Sequence, residues 1–196
     1  MNIRLVASRL MVIAAVSVAI FTEHLWAENG VGERALASAG FLCLLAGCIG
    51  RIWCAVHIAG RKNNTLVTEG PFSIMRNPLY FFTSIAMVGA GLSFDSLTLA
   101  ALFAVVFFMT HWRTILLEET NLRAIFGTAF DAYQAAVPRF FPNPRLYKPA
   151  TTITISAPAF MRAMTEAALI PLAFLGGQGV VALHHAGVLP TLIKLY

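Results

Sequence analysis

The sequence predicts an all-α, polytopic membrane protein of about five transmembrane helices, two of them paired as a tight hairpin. Three observations carry this. Of 196 residues, 58% are hydrophobic and only 12% are charged. Mean hydropathy is +0.74. The apolar residues gather into long runs rather than into the short alternating pattern of strands. A soluble domain carries roughly 25% charged residues, and a chain of this size cannot bury so much apolar surface in a water-facing globule. Soluble enzymes, disordered proteins and nucleic-acid-binding domains are therefore excluded as classes. The net charge of +5 fits a membrane protein whose basic residues lie on one side.

A spanning helix needs about 20 mostly apolar residues. The first candidate is 5–27. Its apolar centre follows Arg4 and Arg9, as in a signal peptide, but cleavage after Ala27 would put bulky Leu25 three residues before the cut, so a retained helix is expected. The second is 35–59, with Arg51 and His57 near its end. Runs 79–92 and 97–112 flank Phe94-Asp95-Ser96; each is short for an independent span, and a hairpin that crosses and returns fits both. The last run is 167–189. Cys43, Cys48 and Cys54 lie in one apolar run without metal-site spacing and are expected to pack helices. The expected organisation is 1–59 as N-terminal membrane helices, 60–162 as a catalytic core and 163–196 as a C-terminal membrane helix.

With a cytoplasmic N-terminus, only Arg34 and Lys194 of the 14 lysines and arginines fall outside. The short outer loops carry Glu23, Glu28, Glu33 and Asp95. The positive-inside rule expects this bias. Two polar segments, 60–78 and 113–162, then share the cytoplasmic side.

Gly70-Pro71 and Asn77-Pro78 are turn signals. Asn77 is suited to cap the helix that Pro78 opens. Arg76 and Asn77 at a helix N-terminus make an anion site or, equally well, an interfacial anchor together with Tyr80. In the second segment Glu118 and Glu119 follow a membrane helix directly, and two carboxylates facing lipid are costly. They pair with Arg113 or Arg123 along the helix, or face a polar cavity. Phe126-Gly127 reads as a helix end with a glycine cap. Pro138 stops the next helix, and Arg139-Phe140-Phe141 reads as an aromatic and basic strap. His57 and His111 lie near the cytoplasmic ends of their spans, where His111 can approach the site; His184 and His185 lie towards the opposite face and are expected to be unrelated.

The ordered set of Gly70-Pro71-Phe72, Arg76-Asn77-Pro78-x-Tyr80, the hairpin, Glu118-Glu119, Phe126-Gly127 through Tyr133, and Val137-Pro138-Arg139 resembles the integral membrane methyltransferases of the isoprenylcysteine carboxyl methyltransferase and phospholipid methyltransferase superfamily. The resemblance covers roughly 65–142. It implies a cytosol-facing pocket for S-adenosylmethionine and a lipophilic substrate entering laterally from the bilayer. It implies that Arg76, Asn77, Pro78 and Tyr80 match the Arg-His-Pro-x-Tyr segment, that Glu118 and Glu119 match the paired glutamates, and that Tyr133, Pro138 and Arg139 match the closing segment. Gly89 and Gly91 match a Gly-x-Gly pattern of the phospholipid branch, also assigned to the cofactor. Arg76, Glu118 and Glu119 are the expected catalytic residues. Arg76 would hold the cofactor carboxylate, one glutamate its ribose or amino group, and Tyr80 and Tyr133 would line the adenosine. Arg139 would hold an anionic headgroup or tie down the strap.

Asn77 replaces the family's histidine and cannot titrate near neutral pH, so it is not a general base. Phe82 replaces a glycine and is expected to narrow the cavity. The implied acceptor is an isoprenylcysteine-type carboxylate, with a phosphatidylethanolamine-type amine as alternative. Methyl transfer needs alignment of nucleophile, methyl and sulfur; an amine also needs a base, a role open to a buried Glu118 or Glu119. An NADPH-dependent reductase of the sterol type and a non-catalytic scaffold are the competing classes. No metal and no nucleic acid are expected as partners.

Overall fold

A computed structural model describes residues 13–14, 16–24 and 30–195 of the chain. The architecture is helical: α1 (Val31–Ile58), the single turn α2 (Pro71–Ile74), α3 (Pro78–Leu92), α4 (Leu97–Phe126), α5 (Thr128–Ala136), a 3-10 turn (Pro144–Leu146), α6 (Ala157–Ala168) and α7 (Leu172–His185). One short parallel pair, β1 (Thr22–His24) with β2 (Ile193–Leu195), joins the two ends of the described chain. Residues 13–14 and 16–20 are helical, inside the first expected span, but the expected helix does not run on to 27: Phe21 forms a turn and Thr22–His24 a strand. Residues 5–12, 15 and 25–27 of that span lie outside the described residues.

By length and composition α1, α4 and the stretch Ala157–His185 can each cross a membrane, and α3 is a shorter apolar helix. At 1.5 Å per residue, the 30 residues of α4 reach about 45 Å, beyond a hydrocarbon core of ~30 Å. The expected second arm of the hairpin, 97–112, therefore continues without a break into the segment carrying the two glutamates.

The last span differs from expectation. It begins earlier, at Ala157, and is interrupted at 169–171. Pro171 has no N–H to return to the preceding turn, and its ring crowds the carbonyl four residues back. Tighter bonds bridge the gap, from the Ala173 N–H to the Ile170 carbonyl and from the Phe174 N–H to the Pro171 carbonyl. The helix ends at His185, two residues before Gly187 takes up a positive φ of 68°.

The described chain forms two compact units. The first combines 1–46, 84–110 and 170–196; the second combines 47–83 and 111–169. The expected 60–162 segment thus contributes to both.

The first unit is held by backbone approach. A Cβ on Gly89 would lie 2.8 Å from both the Gly40 carbonyl oxygen and the Leu44 nitrogen of α1. A Cβ on Gly91 would lie 2.4 Å from the Ala100 Cα across the hairpin. Such close packing is what drives helix association where lipid removes the hydrophobic incentive. At the hairpin tip Gln178 of α7 donates to the Ser93 carbonyl (3.1 Å) and to Asp95 Oδ2 (3.0 Å).

The second unit is organised differently. Cys54, Val67 and Phe72 form its apolar centre, with Ile58, Leu79 and Phe82 packed against them. Phe82 does not narrow a cavity as expected. Its ring is seated on α1, where a Cβ at Gly50 would fall 2.0 Å from it. Gly50, lacking a side chain, leaves room for that ring.

Candidate functional site

Two segments meet around the start of α3. Asn77-Pro78 opens that helix as the sequence indicates, and the preceding residues receive the strap that follows α5. The Arg76 N–H donates to the Pro138 carbonyl (2.8 Å), the Asn77 N–H to the Arg139 carbonyl (3.2 Å) and the Asn143 N–H to the Ile74 carbonyl (2.9 Å). The turn into α5 is made by Gly127, at a positive φ of 53° that an L side chain rarely adopts. This turn brings Tyr133 back, and its hydroxyl donates to the Phe72 carbonyl at 2.6 Å. Burial pushes the Tyr133 hydroxyl above its usual range; Arg76 opposes this and Glu119 adds to it. It stays a neutral donor.

Glu119 is the hub beneath these segments, with 8% of its side chain exposed. Its Oε1 accepts from Arg76 Nε (3.1 Å) and Asn77 Nδ2 (2.8 Å), and its Oε2 from Arg139 Nε (3.0 Å). Arg76 Nη1 donates to the carbonyls of Gln134 (2.8 Å) and Val137 (2.7 Å). Most of the five guanidinium donors are thus spent inside the protein. Asn77, in the place of the family's histidine, uses its amide nitrogen on Glu119 and on the Arg139 carbonyl (3.1 Å). Arg139 lies 6.0 Å from the Trp112 ring, a cation–π distance.

Glu118 turns the other way, with 29% of its side chain exposed. Its Oε2 accepts from the Tyr80 hydroxyl at 3.0 Å, and its Oε1 lies 2.9 Å from Lys62 Nζ. Neither glutamate pairs along its own helix with Arg113 or Arg123; Arg123 instead bonds Asp131 at 2.6 Å. Adjacent residues on a helix differ by about 100° in direction, which separates the two carboxylates by role as well as by position.

Glu118 opens onto a cleft of about 600 Å³, counting the space open to solvent. Ile58, Leu66, Val67, Phe72, Leu79 and Leu122 give it apolar walls, and Lys62, Asn63, Thr65, Tyr80, Glu118 and Tyr133 give it polar ones. Apolar walls with a few convergent polar groups characterise small-molecule sites. Arg76, Asn77 and Pro78 also line it. Six of the residues expected from sequence therefore share one cleft. Glu119 and Arg139 meet behind it, in the network that fixes Arg76 and Asn77, and the Pro138 carbonyl joins them through the strap. Gly89 and Gly91 do not join this constellation; they pack helices in the first unit. His111 stands against Tyr80, with ring centroids 6.0 Å apart.

Sequence reasoning missed Lys62 and the loop after α1. Asn63 there takes a positive φ of 64°, and Arg61 bonds Glu69 at 2.7 Å. The one visible signal was polarity between two spans. It also missed how Gly70 receives His57: a Cβ on Gly70 would lie 2.1 Å from the imidazole.

A sequence model described as phospholipid methyltransferase matches residues 46–129. The chain is 32% identical over 185 residues to the nickel-cobalt-cadmium resistance protein NccN of Alcaligenes xylosoxydans xylosoxydans, spanning 94% of this chain and 86% of that one. It is 34% identical over 191 residues to the cobalt-zinc-cadmium resistance protein CzcN of Cupriavidus metallidurans, spanning 95% and 86%. No solved structure matches the chain.

Proposed function

Because the chain belongs to the isoprenylcysteine and phospholipid methyltransferase superfamily, we propose that it is an S-adenosylmethionine-dependent membrane methyltransferase that modifies a lipophilic acceptor at the Glu118 cleft. The observation that carries this reading is the division of the glutamate pair: Glu119 is consumed by the protein, while Glu118 and Tyr80 face a cleft with aromatic and apolar walls.

The donor set fits the cofactor. Tyr80 and Tyr133 offer flat faces to an adenine. Glu118 is an acceptor for ribose hydroxyls or an amino group, and Lys62 and Asn63 are donors for a carboxylate. Arg76, engaged by Glu119 and two carbonyls, acts in this reading as the brace of the cleft wall, with little donor capacity left for a ligand. S-adenosylmethionine, when bound, supplies an electrophilic methyl group on a cationic sulfonium.

The protein's part is to bind, align and dry the site. Glu118, fixed by Lys62 and Tyr80, is a carboxylate that favours positive charge next to it. For an amine acceptor it is also the group able to take the proton. Glu119 cannot serve, because three donors already fill its oxygens. The basic bias of the polar segments supports a cytoplasmic orientation of the cleft in this reading. The isoprenylcysteine-type carboxylate and the phosphatidylethanolamine-type amine are both acceptors of this class. The names of the two relatives suggest that such a modification serves metal resistance.

Calorimetry on the detergent-solubilised chain tests the reading, with NADPH as control ligand. Saturable S-adenosylmethionine binding that Glu118→Gln weakens supports it. Binding of NADPH in its place, or of neither ligand by folded protein, contradicts it.

A further inference from the structure

The Glu118 cleft has a neighbour. A second opening of about 520 Å³, again counting solvent-open space, is lined by Arg51, Thr83 and His111. The two share Lys62, Leu79, Tyr80 and Glu118, so they meet at the Tyr80–Glu118 hydrogen bond.

Arg51 is the unusual residue there. It sits in α1, a helix apolar enough to span a membrane, and a cation in such a helix needs a compensating partner. Its short contact is to a neutral group: Nη1 donates to Thr83 Oγ1 at 2.7 Å. Its only ion pair among the described residues is to Glu166 at 3.9 Å, with 60% of that side chain exposed. The Thr83 hydroxyl gives its own proton to the Leu79 carbonyl at 2.7 Å, which turns its lone pairs to Arg51 and holds the guanidinium in place. The remaining N–H groups are a preformed fork of the kind that takes an oxyanion in two bonds. Lys62 is matched by Glu118, so the opening keeps the surplus positive charge of Arg51.

We propose that this second opening binds the oxyanion, phosphate or carboxylate, of an amphiphile, through Arg51 with Thr83 and His111 beside it. Arg51 lies in an apolar span, so the ligand's tail remains in the lipid while its anion is held. A molecule pinned at Arg51 extends toward Glu118, where the first cleft begins. Its role as methyl acceptor rests on the proposed methyl transfer; its binding does not.

The test titrates the full solubilised chain with dioleoylphosphatidylglycerol in mixed micelles, with inorganic phosphate and with dioleoylglycerol. The phospholipid should bind tightest. Arg51→Gln should weaken it about tenfold, the size of one lost charge-assisted contact, and Arg51→Lys should restore part of the loss. Thr83→Val should weaken it less. S-adenosylmethionine affinity should stay within about twofold of wild type. Unchanged phospholipid binding in Arg51→Gln and Thr83→Val overturns the proposal, as does equal affinity for the uncharged dioleoylglycerol. Equal affinity for free phosphate removes the amphiphile from it. Where Arg51→Gln does not fold, Thr83→Val, which keeps the side-chain shape, decides alone. A chain that binds phospholipid at Arg51 but no S-adenosylmethionine would refute the methyl-transfer reading and leave this site standing.

Discussion

In the first unit Gly89 lets the backbone of α3 come against Gly40 and Leu44 of α1; in the second, Glu119 gathers Arg76, Asn77 and Arg139. One unit is held by missing side chains and the other by charged ones. The reason is the solvent. Between lipid-embedded helices there is no water to expel, so close contact and dispersion do the work. Around Glu119 the groups are polar but shielded, so each hydrogen bond is strong and each unpartnered charge is costly.

This difference is open to direct attack. The largest effect should come from Glu119→Gln, which leaves Arg76 and Arg139 without their shared carboxylate. Breaking a buried ion pair on one side costs about 3–5 kcal/mol, and a thermal unfolding scan in detergent should show it. Next is Gly89→Val, which drives two branches into a wall of backbone. Overpacking of this kind costs about 1–3 kcal/mol, again read by thermal unfolding, with Glu118-dependent ligand binding retained in whatever remains folded. Tyr133→Phe removes one buried bond to the Phe72 carbonyl and orphans that acceptor. A loss of about 1 kcal/mol is expected, measured by the same scan. The smallest effect should come from Gly179→Ala on α7, where a new Cβ meets nothing within 4 Å; a change within about 0.5 kcal/mol is expected.

The sequence makes the first kind of contact visible only as composition. Apolar runs gave α1, α3, α4 and most of the last span, and Phe94-Asp95-Ser96 gave the hairpin, because a short polar break between two short runs has few other solutions. The same reading could not find which glycine faces which backbone, since glycines look alike in a string. It missed the break at Pro171, where one proline in an apolar run outweighed hydropathy. It assigned Gly89 and Gly91 to the cofactor, while their positions are explained by helix packing.

The second kind was legible as a residue set but not as a wiring diagram. Arg76, Asn77, Tyr80, Glu118 and Tyr133 were singled out and do line one cleft. Their partners lie far along the chain, Glu119 being 43 residues from Arg76, and no local rule selects them. The helical spacing suggested bonds to Arg113 or Arg123; tertiary donors won because they satisfy a buried carboxylate that an exposed neighbour on the same helix cannot reach. Arg51 was noted only as lying near the end of its span and Lys62 only as part of the polar 60–78 segment, because nothing local to either cation tells which distant side chains it will face.

The central claim is that two adjacent glutamates have opposite duties. The measurement that reaches it most directly is a paired one on Glu118→Gln and Glu119→Gln: S-adenosylmethionine affinity by calorimetry and unfolding temperature by scan, in the same detergent. The account predicts that Glu118→Gln unfolds close to wild type but binds about tenfold more weakly or worse, and that Glu119→Gln unfolds at clearly lower temperature. Wild-type affinity in Glu118→Gln, or wild-type stability in Glu119→Gln, would contradict it.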